Sequence, residues 1–300
     1  MTETNQSCGL VAVVGAPNAG KSTLVNAMVG QKVAIVSPKA QTTRTRLMGV
    51  AIEGDTQLLL VDTPGIFEPK RRLDRAMVAA AWGGAEGADV LALVVDAKGG
   101  LGPKVTDIAE RLKDRPEPKY LILNKVDLAD KPKLLLHAER LNGLIDFAET
   151  FFISALTGDG LPELKRTLAA VMPKGPWHYP EDQVSDATER AQAAEVTREQ
   201  LYLQLHAELP YASAVETESY KERPDGSVEI HQQILVDRPT QRAIVLGKGG
   251  ARIKEIGARA RAELAALMDR PVHLYLHVKA KPGWDEDRGV YRDLGLDWVE

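Results

Sequence analysis

Between residues 10 and 171, short apolar runs alternate with longer stretches in which apolar residues recur every three or four positions. The runs Leu10–Val14, Leu47–Ile52, Gln57–Val61, Val90–Val95, Tyr120–Leu123 and Phe151–Ile153 are short and rich in Val, Ile and Leu, which predicts strands. The stretches Lys21–Val29, Leu73–Trp82, Val105–Lys113, Pro132–Leu141 and Leu161–Val171 predict helices. Alternation of this kind builds a doubly wound α/β sheet, with ligands at the carboxyl ends of its strands.

After residue 172 the pattern changes. Pro173-Lys174-Gly175-Pro176-Trp177-His178-Tyr179-Pro180 is dense in prolines and opens a predicted linker over 173–186. Its aromatic residues read as packing residues rather than as a base-stacking site. A long amphipathic helix over Ala187–Leu209 follows, then two alternating runs, Ala214–Glu222 and Val228–Val236, split by the turn Arg223-Pro224-Asp225-Gly226. The segment Thr240–Leu246, the tetrapeptide Gly247-Lys248-Gly249-Gly250, a helix over Ala251–Met268 and a strand over Val272–Val278 complete a smaller α+β unit. The expected organisation is a tail over 1–8, an α/β domain over 9–172, the linker, an α+β domain over 187–282 and an acidic tail over 283–300. That acidic tail is either a solvated end or a cover for a basic groove.

Candidate chemistry falls just after the predicted strands. Gly15-Ala16-Pro17-Asn18-Ala19-Gly20-Lys21-Ser22, followed by Thr23, has the spacing GxxxxGK[ST] between a strand and a helix, which makes a phosphate cradle. Backbone N–H groups and the helix start supply positive potential, Lys21 reaches the outer phosphates and Ser22 ligates Mg²⁺. Asp62-Thr63-Pro64-Gly65 suits a carboxylate that holds Mg²⁺ through water and a Gly65 N–H that meets the γ-phosphate; Pro64-Gly65 also makes a turn. Gln31 to Arg46 reads as an exposed connection, in which Thr42 or Thr43 completes the Mg²⁺ shell. Asn124-Lys125-Val126-Asp127 brings the base into view. A carboxylate only accepts, and guanine offers two adjacent donors that adenine lacks, so Asp127 selects guanine. Asn124 hydrogen-bonds the base or braces the phosphate loop, and the Lys125 stem covers the ring. Ser154-Ala155-Leu156 places the Ala155 N–H near the guanine carbonyl.

Together GAPNAGKST, DTPG, NKVD and SAL resemble the translation-factor-related GTPases, and Pro17-Asn18 resembles the Era/EngA/TrmE branch. Ile66 stands where Ras-like members carry a water-orienting glutamine, so slow intrinsic hydrolysis is expected. The resemblance implies Lys21, Thr43, Gly65 and Asn18 as the catalytic set. It also implies that Asn18 helps bind K⁺ in addition to GTP or GDP and Mg²⁺.

In the smaller unit the element order and GKGG resemble a type II KH domain, whose GxxG loop clamps about four single-stranded nucleotides. Arg242, Gly247, Lys248, Gly249, Gly250, Arg252 and Lys254 are the candidate RNA contacts. From Arg238 to Lys281 ten basic residues face three acidic ones, so about +7 sits in a chain whose net charge is −4. A GTPase followed by a KH domain is the arrangement of the Era family. It implies a GTPase of small-subunit assembly that binds the 16S rRNA 3′ end and the 30S subunit, with peripheral contact at the inner membrane face. The other function class is an RNA-binding protein with little GTPase activity of its own. EngA's tandem GTPase plan does not fit the length or the single phosphate loop.

The remaining composition sets bounds. Cys8 is the sole cysteine, which excludes an internal disulfide framework and fits a reducing cytosol, and it reads as a tail residue. No signal-peptide pattern opens the chain, and no apolar run approaches the roughly 20 residues that span a bilayer. A cytoplasmic monomer is the expectation.

Overall fold

A computed structural model describes residues 5–206 and 208–300. The first four residues of the expected N-terminal tail and residue 207 of the long helix lie outside the described residues. Contacts divide the chain into two units, one formed by Met1–Ala34 and Thr43–Asp186, the other by Ile35–Thr42 and Ala187–Glu300.

The first unit runs β1 (Ser7–Val14), α1 (Lys21–Val29), β2 (Leu47–Glu53), β3 (Thr56–Asp62), α2 (Arg72–Gly83), β4 (Val90–Asp96), α3 (Pro103–Lys113), β5 (Lys119–Asn124), α4 (Lys131–Asn142), β6 (Glu149–Ile153) and α5 (Leu161–Ala170). Among the described residues its sheet has the order β2-β3-β1-β4-β5-β6. All pairings are parallel except β2 with β3. Strands covered by helices on both faces have no polar side, which is why Val11-Ala12-Val13-Val14 and Val90–Val95 are apolar throughout and buried. The helices carry single apolar stripes: in α3, Val105, Ile108, Ala109 and Leu112 are buried, Pro103 opens the helix and Arg111 and Lys113 sit at its negative end. The order of the sheet reverses at β1, so the loop after β1 opens at the topological switch point.

The second unit runs α6 (Glu189–Gln204), β7 (Ser213–Glu222), β8 (Val228–Val236), α7 (Pro239–Leu246), α8 (Ala251–Met268), β9 (Val272–Ala280) and α9 (Arg288–Asp293). Its sheet has the order β7-β8-β9, antiparallel then parallel, with a bulge between Thr217 and Ser219. Alternate residues Val228, Ile230, Gln232, Ile234 and Val236 face α6 and α8; Gln232, the polar exception, receives a 2.6 Å hydrogen bond from the Thr197 hydroxyl.

Three expectations need correction. The stretch read as a linker is a strap hydrogen-bonded to the first unit. Cys8 N donates to Pro173 O (3.1 Å), Val50 N to Val184 O (2.8 Å), and buried Gln57 accepts from His178 N (2.9 Å) and Tyr179 N (3.1 Å). Trp177 and Tyr179 pack on the cluster of Cys8, Val50 and Leu59. Cys8 is therefore no tail residue but a buried member of β1, and burial pushes its thiol up from the usual range. The acidic C-terminal stretch is neither a solvated end nor a groove cover. Trp284 and Tyr291 are buried, the Trp284 indole donates to Ala212 O (3.3 Å), and Asp287 accepts from Lys281 (2.5 Å).

Candidate nucleotide and RNA sites

The loop between β1 and α1 is held from three sides before any phosphate is considered. Lys21 is buried and its Nζ donates to the carbonyls of Gly15 (3.2 Å) and Ala16 (3.1 Å), which folds the loop around the ammonium. Burial pushes this lysine down to about 8, with Asp62 opposing the shift. The Asp62–Ile66 turn lies against the loop, since Ile66 N donates to Gly15 O (3.1 Å) and the Thr63 hydroxyl to Val13 O (2.8 Å). From the other side, the buried Asn124 amide donates to Ala19 O (3.0 Å). A Cβ on Gly20, whose φ is +94°, would come within 2.3 Å of that amide nitrogen, so only glycine permits the brace.

Asn124 is a hub. Its Oδ1 also accepts from its neighbour Lys125 N (2.8 Å) and from Ala155 N (3.0 Å), joining the NKVD turn, the phosphate loop and the Ser154-Ala155-Leu156 turn. Of the two roles open to it, bracing is the one seen. The Ala155 N–H, expected near the guanine carbonyl, is donated to Asn124 Oδ1. Lys125 has a left-handed backbone (φ 66°) and its Nζ reaches Asn18 O (2.6 Å) and Asp96 (2.7 Å). Asp127 sits exposed on the short turn Val126–Leu128, its carboxylate accessible. Leu156 is exposed, and Val126 packs against the core.

A third cluster has the chemistry of a Mg²⁺ site. Ser22 Oγ and Thr43 Oγ1 are 2.8 Å apart, and both donate to Asp62 Oδ2, at 2.7 and 3.1 Å. The other oxygen, Asp62 Oδ1, is buried and has no hydrogen-bond partner among the described residues. Burial pushes this carboxyl up, against the pull of Lys21, Ser22 and Thr43. One carboxylate and two hydroxyls, all hard oxygens, suit a Mg²⁺ ion whose other ligands are phosphate oxygens and water. Among the described residues no group of three His, Cys, Asp or Glu could hold a metal. The structure also separates the two threonines. Thr42 turns its hydroxyl to Lys39 O (2.8 Å), after a left-handed Gln41 (φ 57°), while Thr43 faces Ser22 and Asp62.

Residues Ile35–Thr42 fold with the second unit. Val36 N donates to Glu199 (2.7 Å), the Tyr202 hydroxyl to Gln41 O (3.1 Å), Lys39 Nζ to the carbonyls of Tyr202 and Leu205, and buried Arg198 to Thr42 O. Sequence reasoning missed this set and Asp96. Asp96 had a signal: β3, β4 and β5 each end in a polar residue, Asp62, Asp96 and Asn124.

In the second unit, Gly247-Lys248-Gly249-Gly250 connects α7 to α8. Gly247 (φ 73°) is demanded by packing, since its Cβ would lie 2.8 Å from Arg252 Cβ. At Gly249 and Gly250 (φ 60° and 78°) a Cβ would meet nothing within 4 Å, so there the backbone is bare toward solvent. Beside this loop, the first half of α8 and the edge strand β9 frame an open groove of about 730 Å³, with Ile253, Gly257, Ala258, Leu274 and Leu276 as apolar floor, Lys254 and Arg261 as positive charges and Glu255, paired with Arg259, as the negative one. None of the groove residues belongs to the C-terminal stretch. Arg242 donates to Val278 O (2.9 Å) on the β9 edge; Lys248 and Lys254 are exposed and Arg252 partly so. The positive footprint is narrower than composition suggests. Arg238, Arg259, Arg270 and Lys281 are paired with carboxylates, leaving the rest of the charge around the loop and groove.

Comparison with known proteins places both sites in context. A family model described as 50S ribosome-binding GTPase matches residues 10–125, and a KH domain model matches residues 208–285. The chain is 61% identical to the GTPase Era of Erythrobacter litoralis over all of both chains, and 54% identical to that of Brucella melitensis over 99% of this chain and 96% of the other. Among solved structures, an Aquifex aeolicus Era variant bound to GDP·AlF4⁻ and an Era in complex with MgGDPNP and nucleotides 1506–1542 of 16S ribosomal RNA each superimpose with a TM-score of 0.92. Both are 38% identical, over 97% of this chain and 99% of theirs.

Proposed function

This chain belongs to the Era family of GTPases, and we propose that it uses GTP to time its hold on the 3′ end of 16S rRNA during assembly of the 30S subunit. It is a GTPase. The observation that carries the RNA reading is the relative held together with MgGDPNP and nucleotides 1506–1542 of 16S rRNA, at a similarity that spans nearly all of this chain. The bare Gly249-Gly250 backbone beside a groove with free Lys248, Lys254 and Arg261 supports it from this chain's own residues.

On this reading each part of the nucleotide site has a task. Backbone N–H groups of Gly15–Ser22 and the start of α1 receive the phosphates, and the Lys21 ammonium turns from the loop carbonyls toward the β- and γ-oxygens. Ser22, Thr43 and Asp62 hold Mg²⁺, which when bound neutralises charge on the phosphates. The Gly65 N–H faces the γ-phosphate. Asp127 reads guanine through its two donors, and the Lys125 stem lies along the ring. Ile66 is buried and offers no hydrogen bond to a water, so the chain's own rate is slow. Asn18, held left-handed (φ 63°), would help hold K⁺, which would add positive charge beside the phosphates. Thr43 belongs to this site while the next residue back, Thr42, is bound by Arg198 in the other unit. Drawing Thr43 toward a metal therefore pulls on a segment anchored to the RNA-binding unit.

The test is binding of a 37-nucleotide RNA with the sequence of the 16S 3′ end, against a scrambled RNA of equal composition, in the presence of a non-hydrolysable GTP analogue. A preference of at least about a hundredfold for the true sequence is expected, since several base contacts each discriminate by ~1–3 kcal/mol. Equal affinities would remove the rRNA reading and leave a GTPase with a non-specific RNA clamp.

A further inference from the structure

The NKVD turn depends on a residue outside every motif. Asp96 closes β4 and pairs across the sheet with Asn124, which closes β5. Its two carboxylate oxygens do different work. Oδ1 accepts from Lys98 N (2.9 Å) and Gly99 N (3.0 Å), building the turn after β4, while Oδ2 accepts from Lys125 Nζ (2.7 Å). Lys125 pays for its left-handed backbone, which costs a side-chain-bearing residue on the order of 1 kcal/mol. Something must hold it there. Its N–H is tied to Asn124 Oδ1, and its ammonium is tied to Asn18 O in the phosphate loop and to Asp96. The Asn18 carbonyl is neutral, so the only charge among these partners that fixes the Lys125 head is the Asp96 carboxylate. Burial alone would push that carboxyl up. The hydrogen bond from Lys125, the two backbone N–H groups and the Lys125 charge outweigh this and hold it below the usual carboxylate range, so it is ionised at neutral pH.

We propose that Asp96 is a positioning residue for guanine-nucleotide binding: its Oδ2 anchors the Lys125 ammonium so that the lysine stem lies along the base and Asp127, two residues on, faces the ring edge. This rests on the guanine reading of the NKVD turn. An unanchored Lys125 would sample many rotamers, and the nucleotide would have to order it at each binding event. The consequence falls on how long a nucleotide stays bound.

The experiment is release of a fluorescent GDP from the full chain. Asp96→Asn keeps an oxygen for Lys98 and Gly99 but turns an amide donor toward Lys125, so it breaks one bond and spares the turn. GDP release should quicken about five- to tenfold, the loss of one partly exposed charge-assisted hydrogen bond, and Asp96→Ala should quicken it at least as much. In a Lys125→Ala background, Asp96→Asn should add nothing. A wild-type release rate in Asp96→Asn, or full acceleration persisting without Lys125, would overturn the proposal and assign Asp96 to the turn alone. If the unaltered chain failed to retain GDP at all, the guanine reading itself would fall instead, so the two failures are distinguishable.

Discussion

The nucleotide site and the groove proposed for RNA are built on opposite plans. In the first, polar side chains are committed to one another: Lys21 to loop carbonyls, Ser22 and Thr43 to Asp62, Asn124 to three separate turns, Lys125 to Asp96. A polyphosphate enters a cradle whose backbone is already folded, and only the Lys21 and Thr43 side chains have to exchange partners on binding. In the second, two glycines face open space, and the cations around them reach into solvent. A nucleic-acid backbone needs close approach and charge there, and the order comes with the ligand. A site that discriminates one nucleotide is fixed in advance; a site that grips and releases a strand stays open.

The sharpest way to break this contrast is to put charge where the groove is bare. Lys248→Asp with Gly249→Asp should weaken RNA binding a hundredfold or more, since one cation is lost and two anions face the phosphates. GTP hydrolysis should be unchanged, because the substitutions lie in the other unit. Unaltered RNA affinity in a filter-binding titration would move the RNA site off the groove.

A smaller effect tests the committed site. Lys21 is pushed down to about 8 in the free protein. A bound polyphosphate draws its proton back, so above pH 8 binding takes up a proton and the affinity for GDP should fall by up to about tenfold per pH unit, remaining flat below. The sign for stability is the reverse. The folded value lies beneath the ordinary lysine value of about 10.4, so the unfolded chain holds more protons between these pH values, and this group makes the nucleotide-free fold more stable as pH rises through that window. Calorimetry in two buffers of different ionisation enthalpy reads the uptake. A pH-independent GDP affinity up to pH 9.5 would show that Lys21 stays charged in the free cradle.

The same contrast explains what the sequence showed in advance. Helices and strands were legible because helices on both faces of β1 and β4 leave apolar runs with no polar alternation, and because α3 shows a single stripe. The phosphate loop, the Asp62 turn and the NKVD turn were legible because each needs a rare residue type at a fixed spacing. Other features rest on geometry that spacing does not encode. The Thr42 and Thr43 hydroxyls turn different ways, to Lys39 O and to Asp62, after a left-handed kink at Gln41. Prolines in 173–180 announced a linker, yet extended proline-rich backbone still offers carbonyls, and Pro173 and Val184 use theirs on Cys8 and Val50. Cys8 was hidden because the first residues of β1, Ser7 and Cys8, look like the end of a polar tail. The Ala155–Asn124 hydrogen bond had no signal in the sequence, because spacing alone does not show that the two turns meet.

On the proposed function, the preformed site governs the open one. Ile35–Thr42 ends at a carbonyl held by Arg198, and the next residue, Thr43, donates to Asp62; the proposal is that this stretch of chain links the nucleotide state to the grip on RNA. The most direct test is the affinity of the full chain for the 16S 3′-end RNA with GDP and with a non-hydrolysable GTP analogue, at equal Mg²⁺. The account predicts binding about tenfold tighter with the triphosphate, a coupling within the ~1–3 kcal/mol usual between linked sites. Equal affinities in the two states would contradict it.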